Sequence, residues 1–287
     1  MKKSIYIFLL SVLCLGLFSC KDKPLELNVM SFNVRYDNPE DSLNSWSYRK
    51  DVASQTILNY DADIVGTQEV LSHQLADLKA ALPGYTAVGV GREDGKEAGE
   101  YSALLYKKDR FKEVESGTFW LSETPEVAGS KGWDGACERV ATWAFLEEIE
   151  SGKRFFFINT HLDHVGKLAR INGAKLMLEK ATAIAGDLPM ILTGDFNSEP
   201  SSDVVQYLLS ETSTKVLVSA GDQAKEKKGN KGTFHSFGRI PLEKRPLIDY
   251  IFVSKGAEIL SYEVIDDKLN DVFISDHNPL FSKIQIK

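Results

Sequence analysis

The chain has 287 residues, 43% of them hydrophobic, and its 34 Lys and Arg against 41 Asp and Glu give a formal charge of −7. The apolar share is ample for a packed interior, while the acidic balance has the wrong sign for a protein that clamps long nucleic acid without help. Of the three cysteines, Cys14 and Cys20 lie near the N-terminus and only Cys137 lies in the body. An internal disulfide and a thiolate metal cluster are therefore excluded, and a metal site must be built from carboxylate, amide and imidazole ligands.

Residues 1–20 read as an export signal: Lys2 and Lys3 supply a positive end, the apolar stretch 5–18 is too short to span a bilayer comfortably, and polar Lys21, Asp22 and Lys23 follow. The run Leu17-Phe18-Ser19-Cys20 resembles a bacterial lipobox. That resemblance implies a lipid on Cys20 and tethering to an outer or cell-surface membrane, with periplasmic or secreted release as the alternative. Residues 21–287 read as one domain, since no linker, repeat or low-complexity segment interrupts them.

In chain order, apolar and β-branched runs predict strands over 25–36, 62–67, 85–89, 101–106, 140–148, 154–160, 189–193, 247–253, 258–265 and 279–286. Between them, Ser72 is placed to cap a helix carrying Leu75, Leu78 and Leu82 on one stripe, and 167–185 repeats apolar residues at helical spacing. Ser201 or Ser202 caps a third helix through Leu209. Runs 140–148 and 154–160 flank a short Gly-containing link and predict a hairpin, so the sheet system is mixed. Strands this numerous with helices between them predict an α/β fold, two mixed β-sheets packed face to face with helices outside. The basic run 225–231 reads as a solvated loop, and 117–140 as a loop that sets specificity.

Polar residues stand just beyond several of these strands, where a strand delivers a side chain to a sheet rim. They are Asn33, Glu69, His161, Asp195 with Asn197, Asp249, and the pair Asp276-His277. Together they supply what phosphoester hydrolysis requires: carboxylates for a hard divalent cation, acid/base groups for water, and donors for phosphoryl oxygens. Asp195 and Asn197, two apart, would share one side of an extended segment.

The ordered set S-F-N, Q-E, N-T-H, G-D-F-N, D-Y-I-F-V-S and S-D-H resembles the endonuclease/exonuclease/phosphatase superfamily from Leu25 to the end. That family implies a four-layer α/β sandwich with its site at the rim of two sheets. The resemblance further implies Glu69 as principal ligand of Mg²⁺ or Mn²⁺, Asp276 close to the same ion and Asn33 on bound water or phosphate. Asp195 would orient or deprotonate the attacking water, Asn197 would hold it, and His277, fixed by Asp249, and His161 would serve the phosphoryl group. Glu100 stands where the DNase branch keeps a carboxylate for its histidine.

Other candidates carry two readings each. His164 and His235 touch substrate or are ordinary loop histidines; Trp133 walls a pocket or plugs the core; Arg139 neutralises a second phosphate or bridges to a surface Glu; His73 is helix surface. An inactive binding module would have lost one of Glu69, Asp195, Asn197 or His277, and a glycoside hydrolase using Glu69 and Asp195 would leave His161 and S-D-H unexplained. The expected substrate is thus a phosphoester met outside the cytoplasm, small or glycan-linked, with a nuclease as the alternative.

Overall fold

A computed structural model describes residues 23–287 apart from Thr212; the export segment and Cys20 lie outside these residues. One sheet contains β1 (Leu25–Asn33), β2 (Ile64–Gln68), β3 (Tyr85–Val88), β4 (Leu104–Lys107), β10 (Glu226–Gly229), β12 (Glu258–Val264) and β15 (Leu280–Ile286), in the order β10-β12-β15-β1-β2-β4-β3. The other contains β5 (Phe111–Trp120), β6 (Val140–Glu148), β7 (Arg154–His161), β8 (Met190–Asp195), β9 (Leu217–Ser219) and β11 (Asp249–Ser254), in the order β5-β6-β7-β8-β11-β9. A small hairpin pairs β13 (Lys268–Leu269) with β14 (Val272–Phe273).

Leu27, Val29 and Ile64 of the first sheet meet Phe155, Phe157, Ile191 and Ile251 of the second in a core between the sheets. Helices α1 (Trp46–Asn59) and α2 (Ser72–Ala81) bury Trp46, Ala53, Ile57 and Leu78 against the outer face of the first sheet. On the other side α3 (Lys167–Ala185) and α4 (Asp203–Leu208) bury Met177, Leu178 and Leu208 against the second. The one-turn α5 (Ala220–Gln223) follows β9. The outcome is helix, sheet, sheet, helix: the expected four-layer sandwich.

One regularity positions the site. Successive residues of a strand face opposite sides, and along five strands the side chains facing the sister sheet pass from apolar to polar towards one end of the sandwich. The series are Val29, Ser31, Asn33; Ile64, Gly66, Gln68; Phe157, Asn159, His161; Ile191, Thr193, Asp195; and, reading the antiparallel strand backwards, Val253, Ile251, Asp249. Register aligns the ends: Asn33 lies beside Gln68, His161 beside Asp195, and Asp249 beside Asp195. Just below, Asn159 Oδ1 accepts from Gln68 Nε2 at 2.7 Å and Thr193 Oγ1 at 3.0 Å, tying the sheets together where their inner faces are polar.

Several expectations are corrected. The strand from Leu25 leaves the sheet at Asn33, not residue 36. Helix α1 and strand β5 were not predicted, because α1 buries Arg49 and Thr56 and β5 exposes charged residues, which blurs both periodicities. Part of the 117–140 loop is therefore strand. Ser202 caps α4 through Val205 N, whereas Ser72 is the first residue of α2, with Leu71 at the cap. Glu226–Gly229 of the basic run forms an exposed edge strand parallel to β12. His235 is fully buried: it stacks on Phe273 at 5.7 Å, its Nδ1 accepts from Gly238 N at 3.0 Å, and burial pushes its pKa down to about 4.

Two stability predictions follow from this packing. A Cβ on Gly66 would collide with Thr193 Oγ1 and Asn159 Oδ1, so Gly66→Ala should destabilise the protein by about 1–3 kcal/mol in denaturant unfolding; an unchanged midpoint would contradict the close approach of the sheets. His235 has a folded pKa below its unfolded value of 6.5, so the unfolded state binds more protons in that window and stability falls as pH drops from 6.5 to 4, on the order of 3 kcal/mol in all. His235→Asn, which keeps a carbonyl acceptor for Gly238 N, should lose that much less than the wild type over the same pH range.

Candidate active site

The strand ends open into a cavity of about 460 Å³ whose lining includes Glu69, Asp195, Asn197, His161, Asp276 and His277. Asn33 and Asp249 stand buried immediately behind them. Asn33 Nδ2 donates to Glu69 Oε1 and to Asp195 Oδ2, both at 3.0 Å, and its Oδ1 accepts from Arg35 N at 2.9 Å. The amide is thus committed to spacing two carboxylates. Tyr36 N donates to the other oxygen of Glu69 at 3.1 Å.

The chain turns sharply as it leaves each of these strands. Arg35, Glu69 and Asn197 take φ values of 60°, 61° and 46°, the left-handed region that non-glycine residues rarely adopt. Asn197 N donates to Asp195 Oδ1 at 2.9 Å across that turn. Asp195 and Asn197 converge through a turn, therefore, and not through the strand alternation expected.

Asp249 Oδ2 lies 2.9 Å from His277 Nδ1, and His277 Nε2 lies 3.7 Å from Asp195 Oδ2. Burial acts to lower the His277 pKa, but the charge and hydrogen bond of Asp249, with Asp195 and Asp276, outweigh it and hold the imidazole protonated, well above 6.5. Asp195 is pushed up to about 7 by burial first and then by Asp249. Arg35 stands 3.9 Å from Glu69 Oε2 and 3.8 Å from Asp276 Oδ2.

The donor set fits a hard divalent cation. Five acids, Glu69, Asp195, Asp249, Asp276 and the Asp41 bound to Arg35 at 2.9 Å, face three cations, Arg35, Arg49 and protonated His277, so with every acid ionised two negative charges stay uncompensated. Glu69, Asp195 and His277 each offer an atom within 4.8 Å of the others. His277 is held by Asp249 through Nδ1, and the carboxylates of Glu69 and Asp195 are the hard oxygen ligands of this group.

His161 lines the cavity as expected, with its Nε2 turned to Asn197 and 3.5 Å from Asp195 Oδ2. Asn197 Nδ2 donates to Leu162 O at 3.0 Å, which fixes it as a donor and makes His161 Nε2, also at 3.0 Å, the acceptor. The ring is neutral: burial, then Arg139 and Arg92, hold its pKa well below 6.5. Its proton sits on Nδ1, and Glu100 Oε2 is 4.0 Å away, beyond a hydrogen bond and committed to Arg92 at 2.6 Å. His161 therefore orients Asn197, and Glu100 does not clamp it as Asp249 clamps His277.

Among the remaining candidates, Arg139 and His164 line the cavity and meet through Arg139 Nη2 and His164 Nδ1 at 3.0 Å. Arg139 also lies 3.6 Å from buried Asp163, not beside a surface Glu. Trp133 is half-buried in a loop held by Glu123, so it neither lines this cavity nor plugs the core, and buried His235 does not line it either. His73 is exposed on α2, as expected. Arg35, Tyr36, Arg92, Cys137, Phe234 and Ile248 line the cavity without having been singled out. The signal for Arg35 and Tyr36 was their place two and three residues after Asn33; Arg92 sits in a turn region whose fold no local pattern announces.

An endonuclease/exonuclease/phosphatase of Bacteroides vulgatus is similar in structure and sequence, with a TM-score of 0.89 and 44% identity, covering 92% of this chain and 100% of that one. A mannosyl-6-phosphatase of Bacteroides thetaiotaomicron has a TM-score of 0.82 and 39% identity, covering 90% and 99%. Among curated proteins, Nocturnin of Drosophila melanogaster is 26% identical over 64% of this chain and 30% of its own length, and the exoribonuclease subunit Ccr4 of Saccharomyces cerevisiae is 25% identical over 84% and 35%. The chain thus spans about a third of the length of these two relatives. The Endonuclease/Exonuclease/phosphatase family itself matches residues 30–277, and the chain belongs to this family of phosphoester hydrolases.

Proposed function

We propose that the chain is a divalent-cation-dependent phosphomonoesterase acting on a phosphorylated sugar outside the cytoplasm, with Mg²⁺ or Mn²⁺ as the ion. The observation that carries the reaction is the convergence of Glu69, Asp276, Asp195, Asn197 and His277, with Asp249 behind it, from separate chain segments on one cavity. Sugar phosphate as the substrate class is supported by the 39% identity to a mannosyl-6-phosphatase over 90% of the chain, and by a bounded cavity in an acidic protein, which suits a small ester better than a polymer.

In this reading Asp195, at about 7, orients the attacking water and takes its proton, while Asn197, steadied by His161, holds that water in place. The imidazolium of His277, directed by Asp249, faces the charge that develops on the phosphoryl oxygens or the leaving oxygen. Glu69, Asp276 and Arg35 occupy the side where a bound cation would supply Lewis-acid polarisation of the phosphoryl group.

Export and a lipid on Cys20 belong to the same proposal. The described chain enters β1 at Leu25, the end opposite Asn33, and nine residues of strand span about 30 Å. An anchor on Cys20 would then leave the cavity facing away from the membrane, towards dissolved or glycan-borne esters and not bilayer lipids.

Phosphate release from mannose 6-phosphate should require Mg²⁺ or Mn²⁺ and vanish in EDTA. Full turnover in chelator, or a marked preference for a diester or an oligoadenylate over every monoester, would overturn the reading. His277→Ala should lower kcat by about 10²-fold or more, and unchanged turnover would remove His277 from the chemistry. For the anchor, Cys20→Ser should move the protein from the membrane to the soluble fraction; a wild type already soluble would contradict it.

A further inference from the structure

The cavity divides into two chemically different halves. Around Asp276 and His277 lie the groups described above, with an excess of negative charge. The other half is lined by Arg92, Glu100, Arg139 and His164, with buried Asp163 behind. Here every charge has a partner: Arg92 Nη1 is 2.6 Å from Glu100 Oε2, and Arg139 Nε is 3.6 Å from Asp163 Oδ2. Two guanidinium charges against two carboxylates leave this half formally neutral.

The pairing is rigid. Asp163 accepts from Ala136 N at 2.9 Å, Val165 N at 2.9 Å and Gly166 N at 2.7 Å, so it is fixed by the backbone that carries His164. Arg139 is 6% exposed, and Trp120 Nε1 donates to Arg92 O at 2.6 Å, holding the loop that presents the second guanidinium. Yet Arg139 Nε and Nη1 and Arg92 Nε are buried without a hydrogen-bond partner. A fixed, neutral wall that mixes guanidinium N–H groups with carboxylate oxygens is matched by groups that both donate and accept, which is the property of a hydroxyl; the three unpartnered nitrogens lie beneath that wall. A second phosphate would bring two negative charges to a lobe with no surplus positive charge and would meet Glu100 directly.

Resting on the sugar-phosphate reading, we propose that Arg139, His164 and the Arg92–Glu100 pair form a hydroxyl-reading subsite for an uncharged sugar ring, and that this subsite selects sugar monophosphates over bisphosphates. Arg139 and His164 are its specificity residues.

The test compares mannose 6-phosphate with phenyl phosphate, which has no hydroxyl to read, and with a hexose 1,6-bisphosphate, in the cation-loaded enzyme. Arg139→Met should lower the ratio of kcat/KM for mannose 6-phosphate over phenyl phosphate by about 10-fold or more, carried mainly by KM. His164→Ala, a change at an exposed side chain that spares the core, should shift the same ratio by about 3-fold in the same direction. The bisphosphate should be a poorer substrate than the monophosphate for the wild type and should gain no such penalty from Arg139→Met. Phenyl phosphate turnover with a ratio unmoved by both variants, an equal loss on both monoesters, or a preferred bisphosphate would overturn the subsite alone. Failure of the wild type to hydrolyse either monoester would overturn the phosphomonoesterase reading and the subsite with it.

Discussion

Four carboxylates are confined where two β-sheets end together. Glu69, Asp195, Asp249 and Asp276 come from four chain segments, and the last three are at most 6% exposed. Burying like charges is costly unless each is paired, and much of the surrounding structure serves that requirement. Asn33 spaces Glu69 from Asp195, Asp249 is paired to His277, and Arg35 lies between Glu69 and Asp276. The compensation remains incomplete. Asp195 is raised to about 7 by its burial first and by Asp249 next, and a divalent cation is the natural remedy for the excess of charge as well as a catalytic resource.

The sandwich makes that confinement affordable. Its inner faces are apolar over most of their length and turn polar only at one rim, so desolvated charge is gathered at one place while the rest of the interior packs conventionally. Buried Arg49 fastens the rim from behind: it donates to the carbonyls of Val34 and Ile274 at 2.8 and 3.1 Å, joining the segment that carries Arg35 to the one that carries Asp276. Strained backbone at Arg35, Glu69 and Asn197 is held by these contacts, in keeping with strain stored where side chains must be aimed.

Much of this was legible in the sequence, for a physical reason. Strands covered on both faces read as nearly continuous apolar runs, and a polar residue where such a run stops marks the rim; Asn33, His161, Asp195 and Asp249 are found in this way. The order of the motifs then made the fold legible through the family resemblance. What stayed hidden depends on contacts distant in sequence. Helix α1 carries Arg49 inward because backbone carbonyls from two other segments await it, and no local periodicity reports that. The tautomer of His161 follows from Leu162 O acting on Asn197, and the separation of Glu100 from His161 follows from Arg92, eight residues before it. His235 shared its residue type with true cavity groups, yet its register in the loop turns it onto Phe273.

The central claim is that the carboxylate cluster at the rim is built around a divalent cation with Glu69 as a principal ligand. Calorimetric titration of Mn²⁺ into metal-free protein tests it without reference to any substrate. The account predicts saturable binding by the wild type and affinity weaker by about 10-fold or more in Glu69→Gln, which keeps the shape of the side chain and removes its charge. No binding by the wild type, or equal binding by both proteins, would contradict it.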